Sequence, residues 1–173
     1  MNLPKGTIGL AVLLLLSGCY NVEQPTLITE PGVSLSSYKS FHVAPATNGT
    51  GQTFDFDFAG VFTQDLKTAL QAKGYTVVDG DSASSGVLVV QCSFVSYAPG
   101  NAFQRWLVYG VGQSQATVKT TLADGKDGKP VAEVVTTEAV TGGFLGGIGG
   151  YSSVLQTVAN DVATAIDNKM KTG

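Results

Sequence analysis

The chain opens with one continuous apolar run over residues 7–16, behind a short start that carries only Lys5. A run of about ten residues has the length of a secretory h-region and is too short for a membrane-spanning helix. Beyond it the apolar positions become periodic. Residues 38–45 alternate and stop at Pro45, which predicts a first strand. Phe58, Val61, Phe62, Leu66, Ala69 and Leu70 recur at helical spacing and predict a helix over 57–73. Asp55 or Asp57 is placed to cap its start, and Gly74 to end it in a left-handed conformation. Residues 75–78 read as a short strand, closed by the turn formers Asp79-Gly80-Asp81.

The second half follows a period of two. In 87–97, the strongest strand, Val90, Cys92 and Phe94 share one face while Gln91 and Ser93 take the other. Residues 105–109 form a further candidate strand, broken at Gly110-Val111-Gly112. Over 113–122, Ala116, Val118, Thr120 and Leu122 stand opposite in phase to Gln115, Thr117, Lys119 and Thr121. A hairpin loop at 124–128 returns the chain as a strand over 131–140. A second amphipathic helix is expected over 153–170, with Val154, Leu155, Val158, Val162, Ala165 and Ile166 on one stripe. This order predicts an α+β two-layer domain: a mixed, mostly antiparallel sheet with two helices on one face. The polar alternation leaves the other face at least partly wet.

The apolar run ends in Leu16-Ser17-Gly18-Cys19. Small residues before a cut suit a signal peptidase, and the Cys19 thiol is a nucleophile that diacylglycerol can alkylate. The four residues resemble the lipobox of bacterial lipoproteins at every position. That resemblance makes residues 1–18 a lipoprotein signal peptide and Cys19 the lipidated N-terminus, attached to the membrane by two or three acyl chains. Two chains anchor stably where one does not, at ~0.8 kcal/mol per buried CH₂. Tyr20 follows the cysteine, where an Asp would mark inner-membrane retention by the enterobacterial sorting rule. The expected location is therefore the outer membrane, with the anchor facing the periplasm. Residues 19–34 hold Pro25, Pro31 and Gly32 without periodicity and read as lipidated N-terminus and tether. Such a tether has a mean reach of ~20 Å and a stretched limit of ~50 Å. Residues 35–173 form the single domain.

Composition narrows the chemistry. Charged residues make up 13% and the formal charge is −3, without a Lys/Arg cluster to meet a phosphate backbone, so no nucleic-acid partner is expected. With Cys19 lipidated, Cys92 is left unpaired on an apolar strand face, where a thiol is inert. His42 is the sole histidine, which removes any multi-histidine metal site and leaves one residue for any triad. A Cys92–His42 dyad is conceivable, but both residues read more simply as strand positions. Asp124 and Asp127 loosely resemble a calcium loop, yet Val135 stands where the bidentate Glu belongs, so the segment reads as a turn. Asn48-Gly49-Thr50 likewise reads as a turn. No metal or cofactor is implied.

The most unusual segment is the glycine-rich stretch 142–150. It lacks the Lys-Ser/Thr of a phosphate loop and the third Gly of a dinucleotide fingerprint. Two readings stay open: a connector whose Phe144, Leu145 and Ile148 tuck into the core, or an apolar tip that contacts a partner or the membrane.

Together the lipobox, the first strand and the helix ending at Gly74-Tyr75 form a pattern. The bend Arg105…Gly110-Val111-Gly112, the strand through Ala116 and Val118, the Leu122-Ala123-Asp124…Gly128-Lys129 hairpin and the glycine-rich link complete it. This combination resembles small Gram-negative lipoproteins of the domain of unknown function 4410 family, over roughly residues 35–170. The resemblance transfers no active site. The expectation is a non-enzymatic, membrane-anchored envelope lipoprotein that serves as a protein-interaction or assembly module, contacting an envelope protein or copies of itself. The alternative is a small-ligand or glycan-binding periplasmic module with Tyr97, Trp106 and Tyr109 as an aromatic platform.

Overall fold

The computed structural model describes residues 25–80, 84–98, 114–140 and 152–172. Strand β1 (Ile28–Thr29) and a 3-10 turn (Leu35–Ser37) lead into β2 (Ser40–Val43) and β3 (Thr47–Asn48). Helix α1 (Phe58–Ala72) follows, then β4 (Thr76–Val77), the long strands β5 (Val87–Ala98), β6 (Ser114–Asp124) and β7 (Pro130–Val140), and helix α2 (Ser152–Thr172).

Among the described residues the strands form one sheet in the order β1-β7-β6-β5-β2-β4, with β3 alongside β5. The pairs β5–β6, β6–β7 and β1–β7 are antiparallel, while β2 pairs parallel with both β4 and β5. The parallel part arises from the α1 crossover between β2 and β4, and the antiparallel part from a meander of long strands. The helices pack against each other, α1 over β2 and β4 and α2 over β6 and β7, so both lie on one sheet face. The two-layer α+β architecture expected from the periodicity is the one found.

The folded part begins earlier than residue 35. Leu27 is buried, Ile28 and Thr29 pair with Glu133 and Ala132, and Glu30 N–H donates to Val131 O at 2.9 Å. Residues 27–34 are therefore part of the domain rather than tether. One buried leucine and two ladder residues leave too little periodicity to be read among prolines. The expected strand at 105–109 lies outside the described residues.

Helix α1 forms where its apolar stripe predicts, burying Phe58, Phe62, Leu66, Ala69 and Leu70. Asp57 is the N-cap: its carboxylate accepts from the Gly60 N–H at 2.8 Å. A Cβ on Gly60 would collide with that carboxylate, which accounts for a glycine in the first turn. At the other end Tyr75 N–H donates to Leu70 O and Gly74 N–H to Gln71 O, with Gly74 at φ 89°. Replacing Asp57 by Ala should lower stability by about 1 kcal/mol. Thermal melting should show a midpoint a few degrees lower, and an unchanged midpoint would remove the capping role.

The core lies between the helices and the sheet. Phe94 sits at its centre, with ring centroids 4.7 Å from Phe58 and 5.1 Å from Phe62. Two tyrosines tie its periphery. Tyr38 donates to Asp124 at 2.6 Å, and Tyr75 donates to Asp167 of α2 at 2.8 Å. Burial, followed by these carboxylate acceptors, pushes both phenols up to about 12. Lys171 also donates to Asp167, and with Tyr75 it holds that carboxyl below the usual carboxylate range.

Candidate interaction surface

The sheet face away from the helices is open over its Thr, Ser, Gln and Lys rows, while Val87, Val89 and Ala123 are buried at one end of it. Its residues follow from register. Thr117, Lys119 and Thr121 of β6 stand between Gln91, Ser93 and Ser96 of β5 and the β7 row Glu133, Val135 and Thr137. Lys119 pairs with Glu133 at 2.8 Å, and the hydroxyls of Thr117 and Thr137 lie 3.0 Å apart. Both partners of the ion pair are about half exposed, so the pair contributes at most about 1 kcal/mol. Three large apolar side chains stand out from this polar field: Ile28 at 73% exposure, Val95 at 56% and Val135 at 54%. Beside them a shallow depression of about 400 Å³ is lined by Ala44, Pro45, Thr47, Gln91, Ser93 and Lys119.

Val95 is exposed because β5 carries an irregularity there. Phe94 pairs with Val118, and the next partner pair is Ser96 with Thr117, so Val95 has no partner across the ladder. The extra residue inverts the phase of the strand. Tyr97, which strict alternation turns outward, points into the core instead.

That inversion corrects the aromatic platform. Tyr97 is 3% exposed and its ring stacks on Phe58 with centroids 4.6 Å apart, so it cannot present a face to a ligand. Trp106 and Tyr109 lie outside the described residues. Leu16, Ser17, Gly18 and Cys19 also lie outside them, as do Phe144, Leu145 and Ile148.

The remaining candidates take ordinary structural places. His42 is half-buried on the open face beside Val89, its Nδ1 3.3 Å from Val78 O. Cys92 is on the opposite, buried face, with Sγ 3.3 Å from Thr120 Oγ1, so no thiol–imidazole dyad forms. Burial pushes the Cys92 thiol up to about 12, where it stays protonated and inert. Asp124 and Asp127 accept from the Lys126 and Lys129 backbone N–H groups, and the loop is a turn. Asn48 accepts from the N–H and hydroxyl of Thr50, also as a turn. Among the described residues no three His, Cys, Asp or Glu side chains converge to hold a metal.

Two features of the surface were not legible in advance. The exposure of Val135 is masked in sequence by its neighbour Val134, because two consecutive valines carry no phase. Ile28 sits in the segment read as tether. The alternating Gln91/Ser93 and Thr117/Lys119/Thr121 rows, by contrast, mark the open face directly in the sequence.

The family model for the domain of unknown function DUF4410 matches residues 50–143, more than half of the chain. The chain belongs to the DUF4410 family. The match takes in α1, β4 and the meander β5–β7; the meander supplies most of the open face, while Ile28 of β1 lies outside the match. No functionally curated protein matches this DUF4410 chain in sequence. Its fold is similar to that of solved structures at low identity. One is PelC from Paraburkholderia phytofirmans, a dodecamer, with TM-score 0.57 and 17% identity over 83% of this chain and 97% of that one. Another is the protein CT253 from Chlamydia trachomatis, with TM-score 0.54 and 9% identity over 78% of this chain and 99% of that one. These likenesses establish the fold that the DUF4410 chain shares with them.

Proposed function

We propose that this DUF4410 chain is a lipoprotein of the bacterial outer membrane, anchored through acylated Cys19, whose domain is a non-enzymatic module that assembles with copies of itself. The anchor rests on Leu16-Ser17-Gly18-Cys19 directly behind an h-region. No helix among the described residues is long and apolar enough to cross a membrane. With the fold starting at Leu27, the leash from Cys19 spans at most ~29 Å when stretched. The domain is therefore held close to its leaflet.

The observation that carries the assembly reading is the open part of this sheet face, with Ile28, Val95 and Val135 exposed among Thr, Ser and Gln side chains and the Lys119–Glu133 ion pair. An antiparallel sheet with one solvated face ordinarily alternates polar residues outward, and the three exposed apolar side chains here support reading it as a contact surface. PelC, which has this fold, is a dodecamer, and that supports a second copy as the partner.

The test is the mass of the lipidated protein in detergent micelles, measured by native mass spectrometry. The wild-type chain should run as a multiple of the protomer, and Val135→Lys as a monomer whose stability stays within ~0.5 kcal/mol of wild type. A wild-type monomer, or an assembly indifferent to Val135→Lys, would count against this face.

A further inference from the structure

The two edges of the sheet differ in length. One is β4, only two residues long. At the other, β1 covers no more than the start of β7. Ile28 pairs with Glu133, Thr29 with Ala132, and Glu30 N–H donates to Val131 O. Residues 134–140 of β7 have β6 on one side and, among the described residues, no strand on the other. Val131 O points toward β1, and the register to β6 is regular from Ala132 to Val140. Strand alternation then turns the backbone N–H and C=O of Val135, Thr137 and Ala139 outward. Among the described residues no backbone group bonds them on that side. The stretch is β-branched at five of its seven positions and holds neither Pro nor Lys, the residues that ordinarily blunt an edge. Such an edge is a template for another strand.

Length and charge decide what fits it among copies of this chain. The two residues of β4 cannot pair along it, so a second copy must offer its own β7 edge, which makes the contact a two-fold one. Centred on Thr137, antiparallel pairing sets Thr137 against Thr137, Val135 against Ala139 and Thr136 against Glu138 of the second copy. The whole free edge is used, and the ladder stops at Val134, one residue short of the Glu133 that pairs with Ile28. Centring on Val135 or Thr136 would drive the second copy into β1. Centring on Glu138 would set two carboxylates directly opposite, which destabilises a sheet. The Thr137 register gives roughly six new backbone hydrogen bonds and opposes no like charges. It also supplies neighbours for two side chains. Val135, 54% exposed, gains Ala139 of the second copy. Thr136, whose buried Oγ1 has no hydrogen-bond partner among the described residues, gains the Glu138 side chain across the new ladder. Taking self-assembly of the domain as given, we propose that the free edge of β7 pairs with the same edge of a second copy, antiparallel and centred on Thr137, joining two sheets into one.

The test is disulfide trapping in the full-length lipidated chain in detergent micelles, with native mass spectrometry of the same samples. Residues facing each other in a hydrogen-bonded antiparallel pair have Cα atoms ~5.5 Å apart, within disulfide reach. Under mild oxidation Thr137→Cys should therefore trap most of the protein as a covalent dimer. Thr117→Cys, one strand inward on the same open face, should trap about tenfold less. Cys92 is buried and gives no background. Wild type should run as an even multiple of the protomer. Thr137→Pro removes an outward N–H without touching the β6 ladder and should bring that mass to about half or less. Thr137→Cys leaves every backbone group in place, so its result does not depend on the Pro variant folding. An assembled wild type overturns the edge pairing, and leaves self-assembly standing, if Thr137→Cys is trapped no better than Thr117→Cys. An odd-numbered assembly, or one whose mass Thr137→Pro leaves unchanged, does the same. A monomeric wild type overturns self-assembly itself and the pairing with it.

Discussion

Replacing Cys19 by Ala is expected to remove the protein from the outer-membrane fraction and to abolish acylation of its N-terminus. In the proposed anchoring the acyl chains supply the membrane affinity, so the expected effect is large. A single myristoyl chain gives a partition constant of roughly 10⁴ M⁻¹, and a second chain multiplies it, so loss of both costs well over 10⁴-fold in membrane occupancy. The domain offers no substitute among its described residues, since neither helix is long and apolar enough to span. Intact mass spectrometry of the envelope-purified protein checks this directly. Wild type should begin at Cys19 and carry the added mass of its acyl chains, while Cys19→Ala should carry none. A wild-type chain with an unmodified N-terminus, or a Cys19→Ala variant that fractionates like wild type, would sink the anchor.

The largest expected loss of stability comes from Phe94→Ala. Phe94 is fully buried between the helices and the sheet, and its ring meets Phe58 and Phe62 edge-on. Removing it empties the middle of an aromatic cluster that joins α1 to β5, at a cost of roughly 3–5 kcal/mol. For a domain of this size the melting temperature should fall on the order of 10 °C. Val95, the next residue, is exposed at the strand irregularity, and Val95→Ala should change stability by less than ~0.5 kcal/mol. Adjacent positions then give effects differing by about tenfold. Similar losses at both would contradict the register that places one inside and the other outside.

How much of this was visible in the sequence depends on the range over which each element is specified. Helix α1 and strands β5, β6 and β7 are written in local periodicity, and their buried rows Val90/Cys92/Phe94 and Ala116/Val118/Thr120/Leu122 are the expected ones. The buried stripe of α2 is likewise the expected one. Elements held by distant pairing were not visible. Strand β3 is two exposed residues, Thr47 and Asn48, beside Ser93 and Phe94, and β1 is two residues against Ala132 and Glu133. Neither carries enough pattern to announce itself. Tyr97 failed for a sharper reason: one unpaired residue at Val95 inverts every later side chain of the strand, and no feature of Ser93-Phe94-Val95-Ser96 signals it. The open face was legible as polar alternation, but its apolar members Ile28, Val95 and Val135 each sit where the alternation is broken or hidden.

The central claim is that the open sheet face of a membrane-tethered domain meets another copy of the same chain. It is tested most directly by placing a photo-crosslinking side chain at Val135 in cells that express the lipidated protein, with Gln71 on the exposed side of α1 as the reference site. The account predicts a ladder of self-adducts from position 135 and none from position 71. A single foreign adduct from position 135, or only monomer from both sites, would contradict it.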